Sequence, residues 1–133
     1  MGAQNVMAPT DSRAMALTMA LAVRDKLAED VLVMDLRSLS SITDFFVLCT
    51  ATSSRHLEAL KDHLEDELAR QGQRVWHVEG TADAPSTREG LQAPHWILMD
   101  WGDVVVHLLD ARAREFYQLE RLWADAPRLP LSP

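Results

Sequence analysis

Apolar and polar positions in this chain follow two periods, one near 3.6 residues and one of two, and the switches between them divide the sequence into helices and strands. After a lead-in over residues 1–9, Thr10 and Asp11 offer caps for a helix running to about Glu29, with Leu17, Ala20, Leu21, Leu27 and Ala28 as its apolar face. Val31–Leu36 reads as a short strand, and Arg37–Ser41 as a polar turn. Asp44–Thr50 places Phe45, Val47 and Cys49 on one side and Phe46, Leu48 and Thr50 on the other, the pattern of a central strand. Leu57, Leu60, Leu64 and Leu68 recur at helical spacing between the cap candidates Thr52, Ser53 and Ser54 and the stop at Gly72. A third strand covers Arg74–Glu79, and Thr81–Pro94, with no steady period, reads as a long surface loop.

From His95 to Asp110 two strand-forming runs flank Trp101-Gly102, a short-range signal for a β-hairpin. A loop at that pair sets Asp100 opposite Asp103, Leu98 opposite Val105 and Trp96 opposite His107 on one face. The other face, Ile97 and Met99 against Val104, Val106 and Leu108, is wholly apolar and belongs to the core. The first face mixes an aromatic, a histidine, aliphatics and carboxylates, and suits a partner better than an interior. Asp110 then caps a last helix with Phe116, Leu119, Leu122 and Trp123 near one stripe, and residues 126–133, rich in proline, form a loose tail. The order α, β, β, α, β, loop, β, β, α predicts a single α/β domain over residues 10–125, with a five-stranded mixed sheet flanked by helices.

Composition narrows the function classes. At 133 residues one domain is expected, and a formal net charge of −7 argues against a broad electrostatic grip on nucleic-acid phosphates while favouring basic partners. The single cysteine, Cys49, permits no intrachain disulfide and no thiolate zinc cage. The start of the chain lacks the basic and apolar regions of a secretory signal, and no apolar run reaches membrane-span length, so a cytoplasmic location is expected, with no membrane contact.

Several groups invite chemistry. Asp100 and Asp103 could hold a metal beside a phosphate substrate, but the chain has no glycine-rich phosphate cradle, and a solvated hairpin tip, or two acidic contacts to a basic partner, is the better account of them. Thr52-Ser53-Ser54-Arg55-His56 has the residues of an anion site at a helix start, but a plain capped start accounts for them better. The histidines His56, His63, His77, His95 and His107 show no zinc-ligand spacing, and Cys49 inside an apolar strand behaves as a small hydrophobe. Of the four tryptophans, Trp76 and Trp123 fit the core, whereas Trp96 and Trp101 are expected at the surface as interface anchors.

The strings Leu39-Ser40-Ser41-Ile42-Thr43-Asp44-Phe45-Phe46-Val47, Thr50-Ala51-Thr52-Ser53-Ser54-Arg55-His56, Val78-Glu79-Gly80, Trp96 through His107, and Tyr117-Gln118-Leu119-Glu120-Arg121-Leu122-Trp123 occur in one order over roughly residues 15 to 125. Together they closely resemble the ribosomal silencing factor family, also called Iojap-like proteins. The resemblance implies a nucleotidyltransferase-like topology without catalysis or cofactor. It also implies docking on the universal large-subunit ribosomal protein fourteen, which blocks joining of the small subunit and lowers translation in starvation or stationary phase. A homodimer of the free protein is a further implication. The family's docking surface lies around the final hairpin, so Trp96, Leu98, Asp100, Trp101 and Asp103 are carried over as partner-binding residues, with none assigned to catalysis or metal. The competing expectation is a nucleotidyltransferase-like enzyme using Asp100 and Asp103 to hold a metal. Three departures from the family pattern stand out: the longer Thr81–Pro94 loop, Trp101 where a tyrosine or aliphatic residue is more familiar, and Ala51 in place of a glycine.

Overall fold

The computed structural model describes residues 11–80 and 95–131. The expected lead-in and the Thr81–Pro94 loop fall outside them. The elements are α1 (Ser12–Asp25), β1 (Glu29–Asp35), β2 (Phe45–Ala51), α2 (Ser54–Arg70), β3 (His77–Glu79), β4 (Trp96–Asp100), β5 (Val104–Asp110), α3 (Ala111–Tyr117), α4 (Leu119–Leu122) and β6 (Arg128–Leu129). The strands form one mixed sheet in the order β3-β4-β5-β2-β1-β6. Only the central pair, β2 with β5, is parallel.

Among the described residues six strands stand where five were expected, because the proline-rich tail is not loose throughout. Ala126 is buried, Pro127 accepts a backbone hydrogen bond from Asp35, and Arg128–Leu129 pairs with β1. Pairing a short segment with an exposed edge satisfies backbone groups that would otherwise face water and blunts the edge against other chains.

Helices α1 and α2 cover one face of the sheet. Leu57, Leu60, Leu64 and Leu68 of α2 are fully buried, each contributing on the order of 2 kcal/mol of transfer free energy. The helix begins where Ser53 Oγ accepts from His56 N at 3.0 Å. Helix α1 is turned differently from expectation: Met15, Met19, Ala20 and Val23 point inward, whereas Leu21 is partly exposed and Leu27 lies beyond the helix end, largely in water. Its sequence is apolar on nearly every side, so periodicity alone does not choose the inward face. Cys49 packs in this core, where burial pushes its thiol up to about 12 and keeps it un-ionised at neutral pH.

Among the described residues, the opposite face is covered on one half only. Leu119 of α4 and Ala126 pack with Met34, Leu36 and Leu48, and Trp123 seals that cluster. The expected single last helix is two, broken at Gln118, whose left-handed backbone (φ 47°) turns the chain between α3 and α4. As a result Phe116 and Leu122 are exposed, and only Leu119 of the expected stripe is fully inside.

Candidate partner-binding face

The β4–β5 hairpin carries the expected face through a different register. Trp96 pairs with Leu109, Leu98 with His107, Met99 with Val106, and Asp100 with Val105. The turn is centred on Gly102-Asp103, closed by a hydrogen bond from Trp101 N to the Val104 carbonyl at 3.0 Å. Each partner has moved by two positions, so every side chain keeps its face while changing its neighbour. The expected opposition of Asp100 and Asp103 is therefore absent. Asp100 Oδ1 accepts from Gly102 N at 2.7 Å, bracing the turn, and Asp103 is exposed while its carbonyl accepts from the amides of Asp44 and Phe45. Among the described residues no group of three His, Cys, Asp or Glu side chains is arranged to hold a metal ion.

Half of this face is sealed. His107 is only 3% exposed; its Nδ1 accepts from Trp96 Nε1 at 3.0 Å, and its ring lies 4.6 Å from that of Phe46. Burial pushes the imidazole down to about 4, so it is neutral at physiological pH with its proton on Nε2. The Trp96 ring lies 4.4 Å from Tyr117, and this contact together with His107 holds the indole in place, half-buried. Toward the β3 edge none of the described residues covers the face. Leu98 and Asp100 are half-exposed, and the β3 register sets Glu79 beside Leu98 and His77 beside Asp100. His77 Nε2 and Glu79 Oε2, both well exposed, lie 2.8 Å apart.

Two tryptophans exchange their expected places. Trp101 is 4% exposed and packs in the α1/α2 core, because alternation along β4 puts it on the same side as Ile97 and Met99. It is unavailable to a partner without unfolding. Trp76, expected inside, is 76% exposed at the hairpin tip, anchored by a hydrogen bond from its N–H to the Asp100 carbonyl. Its indole lies over Gly102, where an added Cβ would come within 2.7 Å of the ring. A similar restriction operates at Gly80, with φ 93°, where a Cβ would overlap the Trp96 carbonyl oxygen. The strand face thus presents Trp96, Leu98 and Asp100, and the neighbouring hairpin tip exposes Asp103 and Trp76. Reading the parity of Ile97, Met99 and Trp101 would have placed Trp101 correctly. Trp76 has no such signal, because its alternation with Val78 points inward while its strand begins only at His77.

The sequence matches the family described as "Ribosomal silencing factor during starvation" over residues 9–133. The chain belongs to this family. It is 36% identical over 108 residues to the ribosomal silencing factor RsfS of Bacillus subtilis, covering 81% of this chain and 83% of that protein. It is 33% identical over 101 residues to a mouse protein named mitochondrial assembly of ribosomal large subunit protein 1, covering 76% of this chain and 41% of the longer mouse protein. A crystal structure from Bacillus halodurans superimposes with a TM-score of 0.69 at 32% identity, covering 89% of this chain and 99% of that one. The family's shared α/β architecture is the frame that presents the half-open face.

Proposed function

We propose that this protein binds the large ribosomal subunit and regulates translation there, contacting the universal large-subunit ribosomal protein fourteen through the open half of the β3–β5 face. The bound domain occupies the space the small subunit needs, so translation falls in starvation or stationary phase without any bond being made or broken. The observation that carries this reading is the part-exposed strand face of Trp96, Leu98 and Asp100 beside Glu79, which none of the described residues covers, next to a hairpin tip where Trp76 and Asp103 are exposed. An aromatic anchor ringed by carboxylates suits a basic protein surface, the aromatics supplying affinity and the charges setting register. Family membership and the names of the relatives support the ribosomal setting.

The test is sedimentation of purified protein with isolated large subunits, followed by addition of small subunits. Co-sedimentation and a reduced yield of joined ribosomes are expected. Failure to pellet with large subunits, or unimpaired joining at saturating protein, defeats the reading.

A further inference from the structure

Six aromatic rings follow one another across the face that carries Trp96. Between ring centroids, Trp123 lies 5.8 Å from Phe46, Phe46 4.6 Å from His107, His107 5.6 Å from Trp96, Trp96 4.4 Å from Tyr117, and Tyr117 4.9 Å from Phe116. These spacings are those of attractive tilted and edge-on pairs. The row runs from the end of α4 through β2, β5 and β4 to the end of α3, so both of its outer parts hang on the α3–α4 corner. That corner is braced. Gln118 turns the backbone with φ 47°, and Arg114 donates from Nε to Glu120 Oε2 at 2.9 Å and from Nη1 to Thr50 Oγ1 at 2.8 Å, tying α3 to α4 and to β2.

Trp96 is the member of the row that shares its side of β4 with Leu98, two positions on. Its one polar side-chain atom, Nε1, donates to His107 Nδ1 at 3.0 Å. His107 is 3% exposed, with Leu98 of β4 and Leu48 of β2 as its register neighbours, so no group of a partner can touch it. Any influence of His107 on docking therefore passes through Trp96. An indole bonded at Nε1 and flanked by the rings of His107 and Tyr117 has few orientations left, and the ordering that a free tryptophan would undergo on association is complete before a partner arrives.

We propose that His107 is a positioning residue for large-subunit docking: its Nδ1 fixes the Trp96 indole, against Tyr117, in the orientation that the partner meets. This role rests on the reading of the strand face as the ribosomal contact. An aromatic anchor contributes most when it is rigid, because the partner then closes on one shape rather than selecting it from several. Taking away the Nδ1 acceptor leaves the indole N–H unpaired in a half-buried place, which favours ring orientations in which that N–H reaches water. The buried imidazole thereby controls the shape of a surface to which it does not itself belong.

The test compares His107→Leu, which removes the acceptor, with His107→Gln, which restores one through its side-chain carbonyl. Two quantities are read: hydrogen exchange of the Trp96 indole N–H, assigned by NMR from its loss in Trp96→Phe, and affinity for isolated large subunits by sedimentation. His107→Leu should speed the exchange by about tenfold or more and weaken large-subunit binding by about fivefold or more, while His107→Gln stays within about twofold of wild type in both. Combined with Trp96→Phe, where there is no N–H to hold, His107→Leu should change affinity by less than about twofold, whereas a merely structural role costs the same in both backgrounds. Should His107→Leu fail to fold, the wild-type chain decides alone: its Trp96 indole N–H should exchange at least about tenfold more slowly than that of exposed Trp76, and equal exchange overturns the clamp. Binding unchanged in His107→Leu, or weakened equally with and without the Trp96 indole, overturns the role of His107. A wild-type chain that does not bind large subunits overturns the docking reading and this role with it, so the wild-type arm tells the two failures apart.

Discussion

His107 shows how one buried side chain ties the sheet to the exposed tryptophan. Its pKa is about 4 in the fold against 6.5 when unperturbed, because burial disfavours the charged ring, and Nδ1 must stay unprotonated to accept from Trp96. Between these two values the unfolded chain binds the proton and the native chain does not, so stability rises with pH across that window and falls as the medium is acidified through it. The loss saturates on the order of 3 kcal/mol below about pH 4. Urea unfolding at a series of pH values should show this slope in the wild type and a flatter one in His107→Gln, which keeps an acceptor for Trp96 and removes the titration. Trp76 and Trp101 supply the complementary residue-scale contrast. Trp101→Ala empties a core site and should cost about 3–5 kcal/mol of stability. Trp76→Ala should change stability by less than about 1 kcal/mol, yet weaken binding to large subunits by about 2 kcal/mol or more, read as unfolding midpoints and sedimentation affinities of the same two proteins.

At the scale of elements, the hairpin turn couples to the indole above it. Gly102 has φ 93°, a conformation unfavourable for side chains, and its missing Cβ makes room for the Trp76 ring. Gly102→Ala should destabilise the protein by about 1–2 kcal/mol, and a double-mutant cycle with Trp76→Ala should return part of that cost, since the steric component vanishes once the ring is gone. The same hairpin marks how far sequence reasoning reaches. Alternation assigned Ile97, Met99, Val104, Val106 and Leu108 to the core, and all five are buried. The register escaped because moving the loop centre by one residue shifts every partner by two and leaves each face unchanged. Helix α2 is legible because charged residues separate its four leucines, whereas α1 lacks polar markers on its sides, so that Ala20 and Ala28 of its expected face are buried while Leu21 and Leu27 are exposed. The break between α3 and α4 falls on Gln118, which is neither glycine nor proline and carries no local sign of a left-handed turn. Of the proposed docking face, Trp96, Leu98 and Asp100 are part-exposed and Asp103 is exposed, and only a tertiary view exchanges Trp101 for Trp76.

For the whole molecule, net charge separates a protein partner from an RNA one. A chain of formal charge −7 approaches a particle whose surface carries both phosphate and basic protein, and these two exert opposite long-range forces on it. The proposed docking of the Glu79, Asp100 and Asp103 border on a basic protein patch predicts an attractive encounter, in which added salt screens a pull. The association rate with isolated large subunits should therefore fall as ionic strength rises through about 0.1 M, where the Debye length is about 10 Å, while dissociation changes little because the apolar contacts of Trp76 and Leu98 are not screened. Approach dominated by ribosomal RNA gives the reverse sign, since salt then relieves a repulsion and association accelerates. Stopped-flow measurement using the fluorescence of Trp76, with Trp76→Phe as the silent control, distinguishes the two. Neutralising the border in Asp100→Asn/Asp103→Asn should flatten the salt dependence and lower the association rate together; an unchanged salt slope in that variant places the charge that matters elsewhere on the molecule and removes this face from the proposed contact.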